Sequence, residues 1–137
     1  MTFPEPEIGL VIRMVYLWRR EYDEGRDEGA KDRPCVILSS AQTGRVFVLP
    51  ITHTIPAKDR AAIELPASLK AHLGLDSDRS WIIVDECNSF DWPGYDLRPN
   101  IEGRIHYGHL PPRLFEKVRL AASEQIRSAR LKVTRRD

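Results

Sequence analysis

Two β-branched runs, residues 34–40 and 45–52, are separated by only Ala41-Gln42-Thr43-Gly44. A short polar spacer ending in glycine leaves the chain room to do little but reverse, so the pattern predicts an antiparallel hairpin. The hairpin sets Arg33 at the mouth of its first strand and Thr52 at the exit of its second, where both can be aimed at one small site. Pro50 lacks an amide donor, which places its end of the strand at an edge or a bulge.

A second period-two signal precedes the hairpin. Ile8, Leu10, Ile12, Met14, Tyr16 and Trp18 are all apolar, while Gly9, Arg13 and Arg19 take the other parity, as in a half-buried strand. Residues 19–32 change character: Glu21, Asp23, Glu24, Asp27, Glu28 and Asp32 alternate with Arg20, Arg26 and Lys31 around Gly25 and Gly29, and a long mobile loop without a buried face is expected. Residues 61–65 read as a short strand. Residues 66–73 read as a short helix that starts on a proline and is ended by Gly74.

Residues 80–87, with Trp81, Ile82, Ile83 and Val84 in succession, predict a central strand buried on both faces. An ordered loop over 88–100 and a last strand over 101–107 follow. Leu114, Val118, Ala121, Ala122, Gln125, Ile126 and Ala129 then recur every three to four residues, as on an amphipathic helix, and residues 127–137 form a basic, solvated tail. Five or six short strands with two helices suit a mainly β fold with helices (α+β), an SH3-like small barrel in one domain over 1–137 with its core at about 8–126.

A formal charge of +1 excludes a uniformly basic nucleic-acid binder, so any such contact must come from local charge arrangement. Residues 1–10 have neither the basic n-region nor the apolar h-region of a signal peptide, and no apolar run approaches the roughly 20 residues of a membrane span; cytoplasmic residence is the expectation. Cys35 and Cys87 lie in apolar runs and read as buried free thiols.

Several landmarks occur in a fixed order: a strand closing near Tyr16 to Trp18, Glu28-x-x-x-x-Arg33-Pro34, Leu49-Pro50-Ile51-Thr52, Ile63-Glu64-Leu65-Pro66, Gly74-Leu75, Ser80-Trp81-Ile82-Ile83-Val84-Asp85, Asp91-Trp92 and the terminal helix. In this order the chain resembles the MazF/PemK (Kid) toxins of bacterial toxin-antitoxin pairs, small mRNA-cleaving endoribonucleases. The resemblance implies an SH3-like barrel, a homodimer, cleavage of single-stranded RNA without metal or other cofactor, growth inhibition, and neutralisation by a cognate antitoxin. It ties Arg33 and Thr52 to catalysis and aligns Glu28 with the glutamate five residues before the arginine. Ile83 departs from the family, some PemK-like members of which carry an arginine two residues before the strand aspartate.

Metal-free RNA cleavage needs the neighbouring 2′-hydroxyl to attack phosphorus, so the site must take a proton and stabilise charge on the phosphate oxygens. Arg33, a fork of five donors with a very high pKa, suits the second task, and Thr52 can donate its hydroxyl. Glu28 is the base candidate if the loop folds inward, with His53 its competitor because imidazole titrates near neutrality. Asp85 and Glu86 either cap a turn or face an RNA groove, and Trp18 and Trp92 either stack bases or pack the core. Arg33 has a plain alternative too, an ion pair with Asp32 or Glu28. His72, His106 and His109 have no partner at ligand spacing, and no metal site is expected. The competing functions are a non-catalytic SH3-like toxin or binding module acting on a protein target, and an inactive relative.

Overall fold

The computed structural model describes residues 3–76, 78–100 and 102–137. Its centre is the expected hairpin. Strands β2 (Asp32–Ser40) and β3 (Arg45–Thr52) pair antiparallel, with Cys35 opposite Pro50 and Ser40 opposite Val46. Gly44 takes φ +94° in the connecting turn, a conformation that strains residues with a Cβ.

Strand β1 (Leu10–Val15) pairs with the free side of β2 and carries β7 (His106–His109) on its outer side. On the other side of β3, Arg45–Val48 pair with β6 (Glu86–Asp91) and Ile51–Thr52 pair with β5 (Trp81–Ile83), which in turn carries β4 (Ala62–Glu64). The resulting path β4-β5-β3-β2-β1-β7 has two ends and does not close on itself; β6 branches from β3 and adds β8 (Lys132–Arg135) in parallel.

Five expectations are corrected here. Pro50 lies neither at an edge nor at a bulge but in the interval where β3 exchanges β6 for β5, so its missing amide removes no bond to either neighbour. The run 80–87 is two strands, because Asp85 turns out of register to accept from Arg60 and from the Ala61 amide. Residues 88–91, expected in a loop, continue β6: buried Asn88 accepts from Leu17 N and donates to Leu17 O, standing in for a backbone partner. The basic tail is solvated only in part: β8 extends the sheet and Arg136 is buried against Asp96, while Arg127, Arg130, Lys132 and Arg135 stay exposed. The strand expected over 101–107 covers 106–109 and is not the last, since β8 follows it, and Ile101 lies outside the described residues.

The acidic segment also differs from expectation. It opens with a short helix, α1 (Arg19–Asp23), whose Glu21 is only 5% exposed. Glu21 reaches back to accept from Trp18 N at 3.1 Å and takes Arg26 on its other oxygen, so one carboxylate is satisfied locally and can be buried.

The period-two residues Leu10, Ile12, Met14, Tyr16 and Trp18 share one core cluster with Cys35, Ile37, Val48 and Phe90; Ile8 escapes it and is exposed. The opposite face buries Val11, Val36, Leu49 and Ile82 under α2 (Ala67–His72) and α3 (Pro112–Arg127), through Leu69, Val118 and Ala122. Full burial of a side chain such as Val118 contributes ~1.5–3 kcal/mol. Ile126 lies off this apolar face and is exposed. No described helix is long and apolar enough to cross a membrane.

Cys35 and Cys87 are free and buried, and burial pushes the Cys87 thiol up to about 12 and that of Cys35 higher still. Both stay protonated at ordinary pH, and only the thiolate reacts readily. Neither is expected to react with a thiol reagent at pH 8 in the folded protein, whereas both react in urea. Rapid labelling of the native chain would contradict this packing.

Candidate functional site

The hairpin delivers Arg33 and Thr52 to one wall of a concavity of about 630 Å³. Asp32 and Arg33 are neighbours on a strand and so point to opposite sides: Asp32 pairs with Arg13 at 2.8 Å, and Arg33 makes no ion pair among the described residues. Its guanidinium instead lies over the Trp18 ring, 5.0 Å from the centroid, and Nη1 makes a long contact of 3.5 Å with the carbonyl of Ile51, the residue before Thr52. Nε is buried without a partner. Burial pulls the guanidinium below its usual range, and nearby Arg20 pulls the same way.

A π face holds a cation without neutralising it, which a carboxylate would do. Trp18 is only 7% exposed and supports Arg33 from behind, with Tyr16 against it edge-on. Thr52 is 8% exposed, and its Oγ1 accepts from Thr54 N at 3.1 Å, leaving the hydroxyl proton free to donate elsewhere.

His53 follows on the same wall. Its Nε2 lies 2.7 Å from Asp76 Oδ2, and its Nδ1 lies 3.0 Å from both Ser80 Oγ and the Arg79 carbonyl. Asp76 and the Arg79 carbonyl can only accept, so each ring nitrogen is directed at an acceptor, with Ser80 Oγ beside Nδ1. Burial of Asp76 opposes its ionisation, but buried Lys70 at 2.9 Å and His53 together hold its carboxyl below the ordinary range. His53, Asp76 and Asp78 bring candidate ligand atoms within 4.8 Å of one another. A cation there would have to compete with the Lys70 ammonium for Asp76, so the group fits an ion-pair network better than a metal centre.

Asp85 and Glu86 do not line the concavity. Both grip Arg60, which does: Nη2 donates to Asp85 at 2.7 Å and to Glu86 at 2.9 Å. The Asp85 hydrogen bond foremost raises the Arg60 pKa, against the effect of burial. Glu86 also accepts from the buried Tyr16 hydroxyl and from Arg19 N. Sequence reasoning missed Arg60, because only the pairing of β4 with β5 brings it to a carboxylate 25 residues away.

Glu28 lies in a second concavity with Tyr22, Tyr95 and Arg136, and the two concavities share no lining residue. The segment therefore does not fold Glu28 toward Arg33. Trp92 also lies elsewhere, stacked on Phe90 with its indole N–H on the Pro4 carbonyl.

An open, mainly antiparallel sheet carrying a concavity with an unneutralised guanidinium and an adjacent hydroxyl defines a small β protein with a cationic site. Residues 13–126 match the family of PemK-like, MazF-like toxins of type II toxin-antitoxin systems. The match spans most of the chain, and the protein belongs to that family, which implies an antitoxin partner. No curated protein matches the sequence.

Proposed function

We propose that this toxin is a metal-independent endoribonuclease that cleaves single-stranded mRNA by attack of the 2′-hydroxyl on the adjacent phosphorus. The observation that carries the reading is Arg33 beside Thr52, its charge balanced by no carboxylate. A phosphate entering the concavity meets a forked donor whose charge is not already spent on a neighbour, in a partly desolvated setting where electrostatic stabilisation is strongest.

In this mechanism the 2′-hydroxyl gives its proton to solvent water as its oxygen bonds to phosphorus. Arg33 and the Thr52 hydroxyl hold the phosphate oxygens as negative charge builds. The bond to the 5′-oxygen breaks, and that oxygen takes a proton from water. The products are a cyclic phosphate and a 5′-hydroxyl end. Glu28 has no part in these steps, and Asp85 and Glu86 act only by holding Arg60. An SH3-like barrel opened along its two edges, acting as a homodimer under antitoxin control, completes the reading.

Purified protein is expected to cleave mixed single-stranded RNA in EDTA and to leave those ends. Thr52→Val, which removes one donor while keeping the β-branched shape, is expected to lower kcat about tenfold, the effect of ~1.4 kcal/mol, with little change in KM. Intact RNA across a broad set of sequences would reject the nuclease. Growth arrest on induced expression of the same protein would then favour a binding module acting on a protein target.

A further inference from the structure

The sequence of 19–32 suggests a carboxylate-rich flap that repels phosphate, and the structure sorts its charges otherwise. Arg20 and Lys31 line the concavity with Arg33, and none of the three makes an ion pair among the described residues. The segment's carboxylates are directed elsewhere or already matched. Glu21 is buried on Trp18 N and Arg26, Asp23 pairs with Arg19, Glu24 is exposed and lines neither concavity, Asp27 and Glu28 lie in the second concavity, and Asp32, which lines the first, is held by Arg13. Asp76, which lines the concavity beyond His53, is matched by Lys70 and His53.

From this one-sided arrangement we propose that Arg20 and Lys31 form a phosphate track continuing from Arg33, which binds the backbone phosphates of a single strand next to the one at Arg33. It rests on the reading of the concavity as a single-strand site and specifies which wall the backbone follows. The wall is built, not incidental: Arg20 lies over the Trp18 ring, 5.5 Å from its centroid, beside the Arg33 guanidinium on the same indole. The buried Glu21 carboxylate fixes the start of α1 and with it the position of Arg20. Gly29 packs so closely that a Cβ there would lie 2.2 Å from the Tyr16 carbonyl oxygen, so the return of the segment toward Lys31 is held against β1. Consecutive phosphates repel one another, and a row of unmatched cations on one wall is the arrangement that offsets this while leaving the bases to face the other wall.

The test uses the full chain and a fluorescent single-stranded oligodeoxynucleotide, which lacks the attacking 2′-hydroxyl and stays intact. Anisotropy titrations across a range of salt compare the natural protein with Arg20→Gln, Lys31→Gln, the double variant, and Lys117→Gln on exposed α3 as a control for nonspecific charge loss. Each lost phosphate contact makes the log K against log salt slope shallower by about 0.7, so the double variant is expected to lose about 1.4 and Lys117→Gln nothing. An unchanged slope in the double variant, an equal loss in Lys117→Gln, or no binding by the natural protein overturns the track. RNA cleavage is read separately. Binding with the expected slopes but without cleavage supports the track and rejects the nuclease, whereas cleavage with unaltered slopes rejects the track alone.

Discussion

Replacing Arg33 with alanine is expected to lower RNA cleavage by about 10²–10³-fold while leaving thermal stability nearly unchanged, the scale on which one donor to a developing oxyanion acts. The two halves of this result have separate physical origins. Arg33 has no carboxylate partner and only one long contact to a carbonyl, so its loss leaves no buried anion exposed and breaks no network. A phosphate in the concavity loses the forked cation nearest Thr52. Arg33→Lys is expected to restore only part of the activity, because an ammonium is a point charge and cannot offer the planar fork. Measured kcat/KM together with a melting curve checks both halves; full activity, or a collapsed fold, would remove Arg33 from the mechanism.

The second large effect lies far from the chemistry. Arg136 and Asp96 form an ion pair whose side chains are 5% and 2% exposed, with Nε to Oδ2 at 2.8 Å, and Arg136 Nη1 also holds the Asp27 carbonyl. Arg136→Ala leaves the Asp96 carboxylate buried and unmatched, for which the expected cost is ~3–5 kcal/mol. That is a large part of the roughly 5–15 kcal/mol that holds a domain of ordinary stability together. The double variant Arg136→Met with Asp96→Leu removes both charges and is expected to recover most of the loss. Urea unfolding of the three proteins decides the matter, and a single-variant loss below ~1 kcal/mol would show that this contact does not anchor the end of the chain.

The same pair shows why part of the fold is illegible in sequence. Arg136 stands in a run of basic residues that reads as a solvated tail, and nothing local says that Asp96 is waiting for it 40 residues earlier. Asp85 poses the same problem: its apolar approach reads as one strand, and the break appears only once Arg60 and the Ala61 amide are placed beside it. Glu21 looks like one more carboxylate in an acidic loop until Trp18 N and Arg26 are found to satisfy it.

What the sequence settled by itself was whatever rests on local periodicity and turn chemistry. The hairpin of β2 and β3, the alternating face of β1, α2 with Gly74 after it and the body of α3 all follow from spacing along the chain, and with the hairpin came the adjacency of Arg33 and Thr52. Only the tertiary structure decided which charges are matched and which are left for a ligand. It gave Asp32 to Arg13, sent Glu28 to another concavity, and left Arg33 on an indole face with Arg20 beside it. The reason is physical: a strand's pattern is read over neighbouring residues, but the partner of a charge is set by long-range packing, and sequence distance carries almost no information about it.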